Sequence, residues 1–411
     1  MKESIPSLDA PPPAPGTSLS TVDYIRNYLL RLRSGEIGSW PMILGLMVIA
    51  LIFQSQNQNF LTARNFVNLI VQMAGYTVIA IGVVYVLLVG EIDLSIGYVS
   101  AVAAVFMVLQ LQDPPGWPWY AAVSVALMLA ATIGILHGLI ITTFQVPSFI
   151  VSLAALIAWN GTVLLLIGTS GTVIIQDNVI VGIANHFLEP ALGWLVGIVT
   201  IVIFAFYQIQ HWVVRRRQRL VDVPGIIVLM RIVLLAGLAS GVVFICNQDR
   251  GVPFVGVLLL ILLTGFTVLA TKTRFGRYVY AIGDNKIAAR RAGIDVKRVL
   301  ITVFMISSLM AGAGGIVLAS RLRSVDTAAG GGNLLLNSIA AAVIGGTSLF
   351  GGSGRVPNVL LGALVIASVE NGMGLLRLDA GVQFIITGFV LLMAVLVDAV
   401  SRQNRRQPVQ S

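Results

Sequence analysis

Apolar residues run along this chain in long blocks. From the N-terminus these are Trp40–Phe53, Phe66–Val89, Leu94–Leu111, Trp119–Phe144, Phe149–Ile167, Ala191–Tyr207, Ile226–Cys246, Phe254–Ala270, Val299–Ala319, Leu334–Phe350, Val356–Leu376 and Phe384–Val397. A helix needs about 20 apolar residues to cross a bilayer. Inside one, only helices and closed barrels satisfy their backbone groups. The pattern predicts an all-α membrane protein with ten to twelve transmembrane helices. Trp40–Phe53 is short for a span, and Leu334–Phe350 is diluted by glycine and other small residues. Some segments are therefore expected to be Gly-broken or re-entrant.

The polar stretches set the organisation. Residues 1–35 include Pro11-Pro12-Pro13-Ala14-Pro15-Gly16, lack a signal-peptide apolar core and read as a disordered tail. Residues 36–400 read as the transmembrane domain, with inserted spans at about 190–250 and a long basic loop at 271–298, and 401–411 form a second tail. Orientation follows Lys and Arg, which concentrate on the cytoplasmic side. Arg215-Arg216-Arg217, the 271–298 loop and Arg402, Arg405 and Arg406 fall on one side, with both termini cytoplasmic. Gln112–Pro118 and Gly168–Pro190, which carry no Lys or Arg, then fall outside, with Arg321 and Arg323 as exceptions.

Composition narrows the function. The chain is 57% hydrophobic and 10% charged, where soluble proteins carry about 25% charged residues. The net charge of +9 reads as basic loops beside a membrane, with no nucleic acid as partner. The single cysteine, Cys246, rules out a disulfide framework or Cys-based zinc site. His137, His186 and His211 are scattered, so no metal site is expected, and no nucleophile–base grouping suggests a catalytic residue. No Gly-Lys-Ser or Gly-Lys-Thr occurs, so the phosphate-binding loop of an ATPase is missing. ATP-Mg, if it powers this chain, is bound by another one.

Two kinds of segment stand out. The loop from Lys272 to Arg298 holds eight basic and two acidic residues. Within it, Asp284-Asn285-Lys286-Ile287-Ala288-Ala289-Arg290-Arg291-Ala292-Gly293 reads as one short helix. Asp284 or Asn285 is its N-cap, the alanines favour helix, and Gly293 suits the left-handed position after its end. It is either a docking element or a solvated basic face. The other kind is a pair of glycine-bounded breaks, Gly90-Glu91-Ile92-Asp93-Leu94-Ser95-Ile96-Gly97 and Gly345-Gly346-Thr347-Ser348-Leu349-Phe350-Gly351-Gly352, offset by about 255 residues. Such paired interruptions suggest two pseudo-repeated halves and point to a substrate path. The translocation-path candidates are Glu91, Asp93, Ser95, Gly97, Gly345, Gly346, Thr347, Ser348, Gly351, Gly352 and Asn371. An acid at mid-span costs about 2.5–3.5 kcal/mol on insertion scales. Glu91 and Asp93 therefore cap the next helix, contact substrate or relay protons. Glu370, beside Asn371, leaves the same choices.

These residues also carry a resemblance. Gly90–Gly97, Val146-Pro-Ser-Phe-Ile-Val-Ser-Leu153, Arg250-Gly-Val-Pro253, Phe275-Gly-Arg-Tyr-Val-Tyr-Ala-Ile-Gly283, Ala288-Ala-Arg-Arg-Ala-Gly-Ile294, Ile344-Gly-Gly-Thr-Ser-Leu349 and Asn371-Gly-Met373 are spread over roughly residues 55–400. With them the chain resembles the permease subunits of bacterial ABC sugar importers in the ribose/xylose branch, nearest the longer, xylose-type members. The resemblance implies a homodimer in the inner membrane with the pore between two copies. It also implies a periplasmic sugar-binding protein and a cytoplasmic ATPase with two nucleotide-binding modules. That ATPase would clamp onto a coupling helix formed by Asp284, Asn285, Ala288, Ala289, Arg290, Arg291 and Gly293. Two positions depart from the family pattern: Ile287 stands where Glu is common, and Asp284 where Gly is usual. Xylose is the expected substrate, with ribose, arabinose, galactose, glucose or inositol as alternatives. The rival reading is a proton-coupled secondary sugar transporter using Glu91, Asp93 or Glu370.

Overall fold

The computed structural model describes residues 40–218 and 223–390, together with Arg26 and residues 392–393. The tails expected at 1–35, Arg26 apart, and at 401–411 lie outside them. In chain order the helices are α1 (Trp40–Gln56), α2 (Ala63–Leu88), α3 (Ile96–Leu111), α4 (Trp119–Phe144), α5 (Ser148–Ile167), α6 (Asn178–Asn185), α7 (Pro190–Arg217), α8 (Gly225–Asn247), α9 (Phe254–Lys272), α10 (Arg274–Asp284), α11 (Lys286–Arg291), α12 (Val296–Leu322), α13 (Leu334–Ile344), α14 (Val359–Leu375) and α15 (Ala380–Val390). Each apolar block read from the sequence overlaps one of them, with Phe384–Val397 running beyond the described residues. Among the described residues, eight helices are long and apolar enough to cross a membrane: α2, α4, α5, α7, α8, α9, α12 and α14. The other apolar helices, α1, α3, α13 and α15, are shorter.

The described residues divide into two compact units, one within 189–247 and one within 38–188 and 248–393. In the first, α7 and α8 pair. The Trp212 indole donates to Val223 O at 3.0 Å, and the Arg216 guanidinium lies 5.2 Å over its ring.

In the second unit, α2 and α12 are the central helices, with 83% and 72% of their most apolar windows buried. A helix apolar on all sides belongs inside its bundle. Along α4, the buried residues Ala122, Ala126, Ala130, Gly134 and Gly138 recur every fourth position. This small-residue stripe lets backbones approach closely. A Cβ on Gly134 would lie 2.7 Å from Met305 Cα of α12, and one on Gly138 would lie 2.7 Å from Ile301 Cα.

Two short antiparallel ladders add to the helices: β1 (Thr172–Ile174) pairs with β4 (Ser324–Asp326), and β2 (Phe187–Leu188) with β3 (Val252–Pro253). They organise the 168–190 segment, read from sequence only as a loop. Its helix α6 is pinned to α12, where Ala184 N donates to Ser320 Oγ at 2.9 Å. Leu334–Phe350 is not one continuous helix. At 1.5 Å per residue α13 is only about 16 Å long. The chain then passes through Gly346, Gly351 and Gly352, all at positive φ, before α14 begins.

Candidate functional site

The basic loop folds into two helices, not one. Thr273 Oγ1 caps α10 by accepting from Gly276 N at 3.1 Å. Asn285 then caps α11, its Oδ1 accepting from Ile287 N at 3.0 Å and Ala288 N at 2.9 Å. Asp284 is the last residue of α10 and does not cap. At the other end, Gly293 has φ +83°, Gly293 N donates to Arg290 O and Ile294 N donates to Ala289 O. These are the two bonds of a glycine-terminated Schellman end. Ala289 is buried, while Ile287, Arg290 and Arg291 face outward and Ile287 is 68% exposed.

The hinge between α10 and α11 meets both glycine breaks. Gly352 N donates to Leu88 O at 3.0 Å. A Cβ on Gly283 would lie 2.5 Å from Gly352 N and 2.9 Å from Leu88 C. One on Gly351 would lie 2.9 Å from Gly283 O and 3.0 Å from Gly90 N. Tyr280 Oη donates to Gly354 O at 2.9 Å, and the Lys286 ammonium pairs with Glu91 at 3.1 Å. Glu91 therefore caps nothing; its partner is the first residue of α11. Three motifs distant in sequence form one backbone knot that only glycines fit.

Asp93 is buried and braces the turn that leads into α3, without capping the helix itself. Its Oδ1 accepts from Ser95 N at 3.0 Å and Ser95 Oγ at 2.6 Å, and its Oδ2 accepts from Ser307 Oγ at 3.2 Å. His137 lies 3.4 Å from Ser95 Oγ and accepts from the Trp159 indole at 3.2 Å. Ser148 and Ser152 hold the break's backbone, Ser148 Oγ accepting from Ile92 N and Ser152 Oγ donating to Ile92 O. Removing a buried hydrogen-bonding side chain strands its polar partners, at about 1–3 kcal/mol each. Asp93→Ala is expected to lower the unfolding temperature in detergent sharply, and Asp93→Asn far less. Uptake should survive Asp93→Asn; its abolition in a stably folded variant would instead mark Asp93 as a proton carrier.

The second break is equally enclosed. Thr347 and Ser348 are buried, and Ser348 N donates to Ser353 O at 2.8 Å. Gly345 packs on Asn358 O, and Gly97 packs on Gly330 O of the segment before α13.

At the other end of α2 lies a polar cavity of about 440 Å³, lined among others by Asn65, Asn68, Gln72, Arg321, Glu370 and Asn371. Asn65 Nδ2 donates to Phe60 O at 2.9 Å and to Asn371 Oδ1 at 2.7 Å. Asn371 Nδ2 donates to Gln72 Oε1 at 3.1 Å, and Asn337 Nδ2 donates to Glu370. Arg250 reaches Asn68 Oδ1 at 2.5 Å.

Residues 65–395 match the family described as branched-chain amino acid transport system / permease component. The chain belongs to this permease family. It is 36% identical over 381 residues to the xylose transport system permease protein of Escherichia coli strain K12, covering 91% of this chain and 94% of that one. It is 33% identical over 381 residues to the corresponding Haemophilus influenzae protein, covering 92% and 100%. It is 31% identical over 360 residues to the ribose import permease protein of Bacillus subtilis strain 168, covering 86% and 91%. No solved structure matches the chain.

Of the path candidates in this permease, Asn371 alone lines the cavity. Glu91, Gly351 and Gly352 join the knot under α11, and Asp93, Ser95, Thr347 and Ser348 are buried nearby or in the second break. Sequence reasoning missed Asn65, Asn68 and Gln72. Their signal was present: positions i, i+3 and i+7 lie on one helix face, a carboxamide stripe in an apolar block.

Proposed function

We propose that this permease is the pore-forming subunit of an ATP-driven, binding-protein-dependent monosaccharide importer of the bacterial inner membrane. The observation that carries the reading is the meeting of an outward-facing basic helix with both glycine breaks. A membrane protein moved from outside needs a handle in mechanical contact with its gates, and α11 has the form of one. It joins the α2–α3 break through the Lys286–Glu91 pair, and the Gly283 hinge before it packs on the break between α13 and α14. In this reading α11 lies on the cytoplasmic side and docks a separate ATPase, which binds ATP-Mg. ATP binding displaces α11, the knot carries the displacement to both breaks, and the pore alternates between its two openings. The pore forms between two copies, a periplasmic binding protein delivers the sugar, and both termini are cytoplasmic. The xylose and ribose permeases among the relatives support a pentose cargo, with xylose first.

Cross-linking tests the docking. The native thiol at Cys246 is buried and is removed as Cys246→Ala. In that background Ile287→Cys, with the ATPase present in native membranes, is expected to give a permease–ATPase adduct. An adduct from Arg250→Cys, beside the far end of α2, and none from Ile287→Cys overturns the assignment.

A further inference from the structure

We infer that the cavity between α2, α12 and α14 is a binding subsite for the hydroxyl groups of a neutral monosaccharide, an inference that rests on the importer reading above. It lies far from the machinery at α11. Gln72 and Leu88 are on one helix, about 24 Å apart along its axis at 1.5 Å per residue. The cavity's 440 Å³ falls within the 300–1,000 Å³ typical of small-molecule sites, taken as an order of magnitude (about that range).

The lining suits a polyol. Each carboxamide has two N–H donors and one acceptor oxygen, and each sugar hydroxyl both donates and accepts. Asn65 spends both N–H groups on Phe60 O and Asn371 Oδ1, so it orients Asn371. Asn371 in turn gives one N–H to Gln72 Oε1. Among the described residues Gln72 donates no hydrogen bond, so its amide is available to a hydroxyl. Arg321 adds N–H donors to the lining, and Glu370 adds a carboxyl group, one of whose oxygens already accepts from Asn337. Next to them, two buried polar atoms have no hydrogen-bond partner: Asn337 Oδ1, whose amide holds Glu370, and Tyr76 Oη, one helical turn from Gln72. A zwitterionic amino acid would use the two charges and leave the carboxamide stripe idle. A neutral sugar uses all of it.

The test uses the whole transporter, with ATPase and binding protein, in proteoliposomes. Gln72→Ala and Asn371→Ala are compared with wild type for xylose moved per ATP. They are also compared for xylose against 2-deoxyxylose. The inference predicts about a tenfold fall in xylose moved per ATP, the scale of a lost buried hydrogen bond. ATP hydrolysis stimulated by the loaded binding protein should stay within about twofold of wild type, a factor far smaller than one lost bond. The preference for xylose over the deoxy analogue should shrink, because a site built on hydroxyls discriminates against their absence. Unchanged xylose per ATP overturns the inference, as does an equal loss for both sugars, which a packing defect would give. If Asn371→Ala does not accumulate in the membrane, Gln72→Ala decides alone. Wild-type protein that imports amino acids and no sugar would instead sink the importer reading itself.

Discussion

Gly283→Val is expected to abolish productive coupling, with transport down at least about tenfold and stability down by about 2–5 kcal/mol. The reason is geometric. A Cβ at this position would sit 2.5 Å from Gly352 N and 2.9 Å from Leu88 C. Both neighbours are backbone, so no side chain can swing aside. The Gly352 N to Leu88 O bond of 3.0 Å would open, leaving a buried amide and carbonyl unpaired. The extra atoms would also force the α10–α11 hinge away from both glycine breaks. Gly293→Ala is the control on the same loop. No atom lies within 4 Å of a Cβ there, and only the φ of +83° opposes it. That strain is of the order of 1 kcal/mol, so Gly293→Ala should weaken the end of α11 and retain much of the transport. Uptake assays and thermal unfolding of the two variants side by side check both statements. A Gly283→Val protein with wild-type uptake would remove the knot from the mechanism.

Ile287→Asp is expected to lower binding-protein-stimulated ATP hydrolysis by about 30-fold, the equivalent of losing roughly 2 kcal/mol at a contact buried on docking. Ile287 is a branched apolar side chain that is 68% exposed on a six-residue helix whose neighbours are mostly charged or small. Nothing in the folded chain requires it to be apolar, so its replacement leaves the permease itself intact. At a docked surface, aspartate would lose the apolar contact and bring a charge that must be desolvated. Membrane level and unfolding temperature should therefore match wild type while ATPase stimulation and co-purification with the ATPase collapse. Ile287→Ala should fall between.

How far the sequence carried these conclusions depended on the range of the interactions. Helix ends were legible because caps are local. Asn285 and Gly293 do what residues of their type do at a start and an end, within four positions of the helix they bound. The apolar blocks were legible for the same reason. The hinge helix α10 was not, because its buried residues Gly276, Val279 and Ile282 sit among arginines and tyrosines and the whole stretch read as a charged loop. Glu91 was read by its neighbourhood as a cap, a substrate contact or a proton relay, yet its partner Lys286 lies 195 residues further on. The glycine breaks were visible one at a time. That Gly90, Gly283, Gly351 and Gly352 touch one another is a property of the folded bundle, and no spacing in the chain encodes it. The carboxamide stripe Asn65, Asn68 and Gln72 was written plainly in the chain, but a block treated as uniformly apolar hides the three positions that differ.

The central claim is that this chain is a passive pore moved by another protein's ATP. Radiolabelled xylose uptake into proteoliposomes tests it most directly, with the permease and binding protein present and the ATPase included or omitted, each with and without a proton gradient. The account predicts uptake only when the ATPase and ATP are both present, unaffected by collapsing the gradient. Uptake that persists without the ATPase and disappears with the gradient would contradict it and make the chain a proton-coupled carrier.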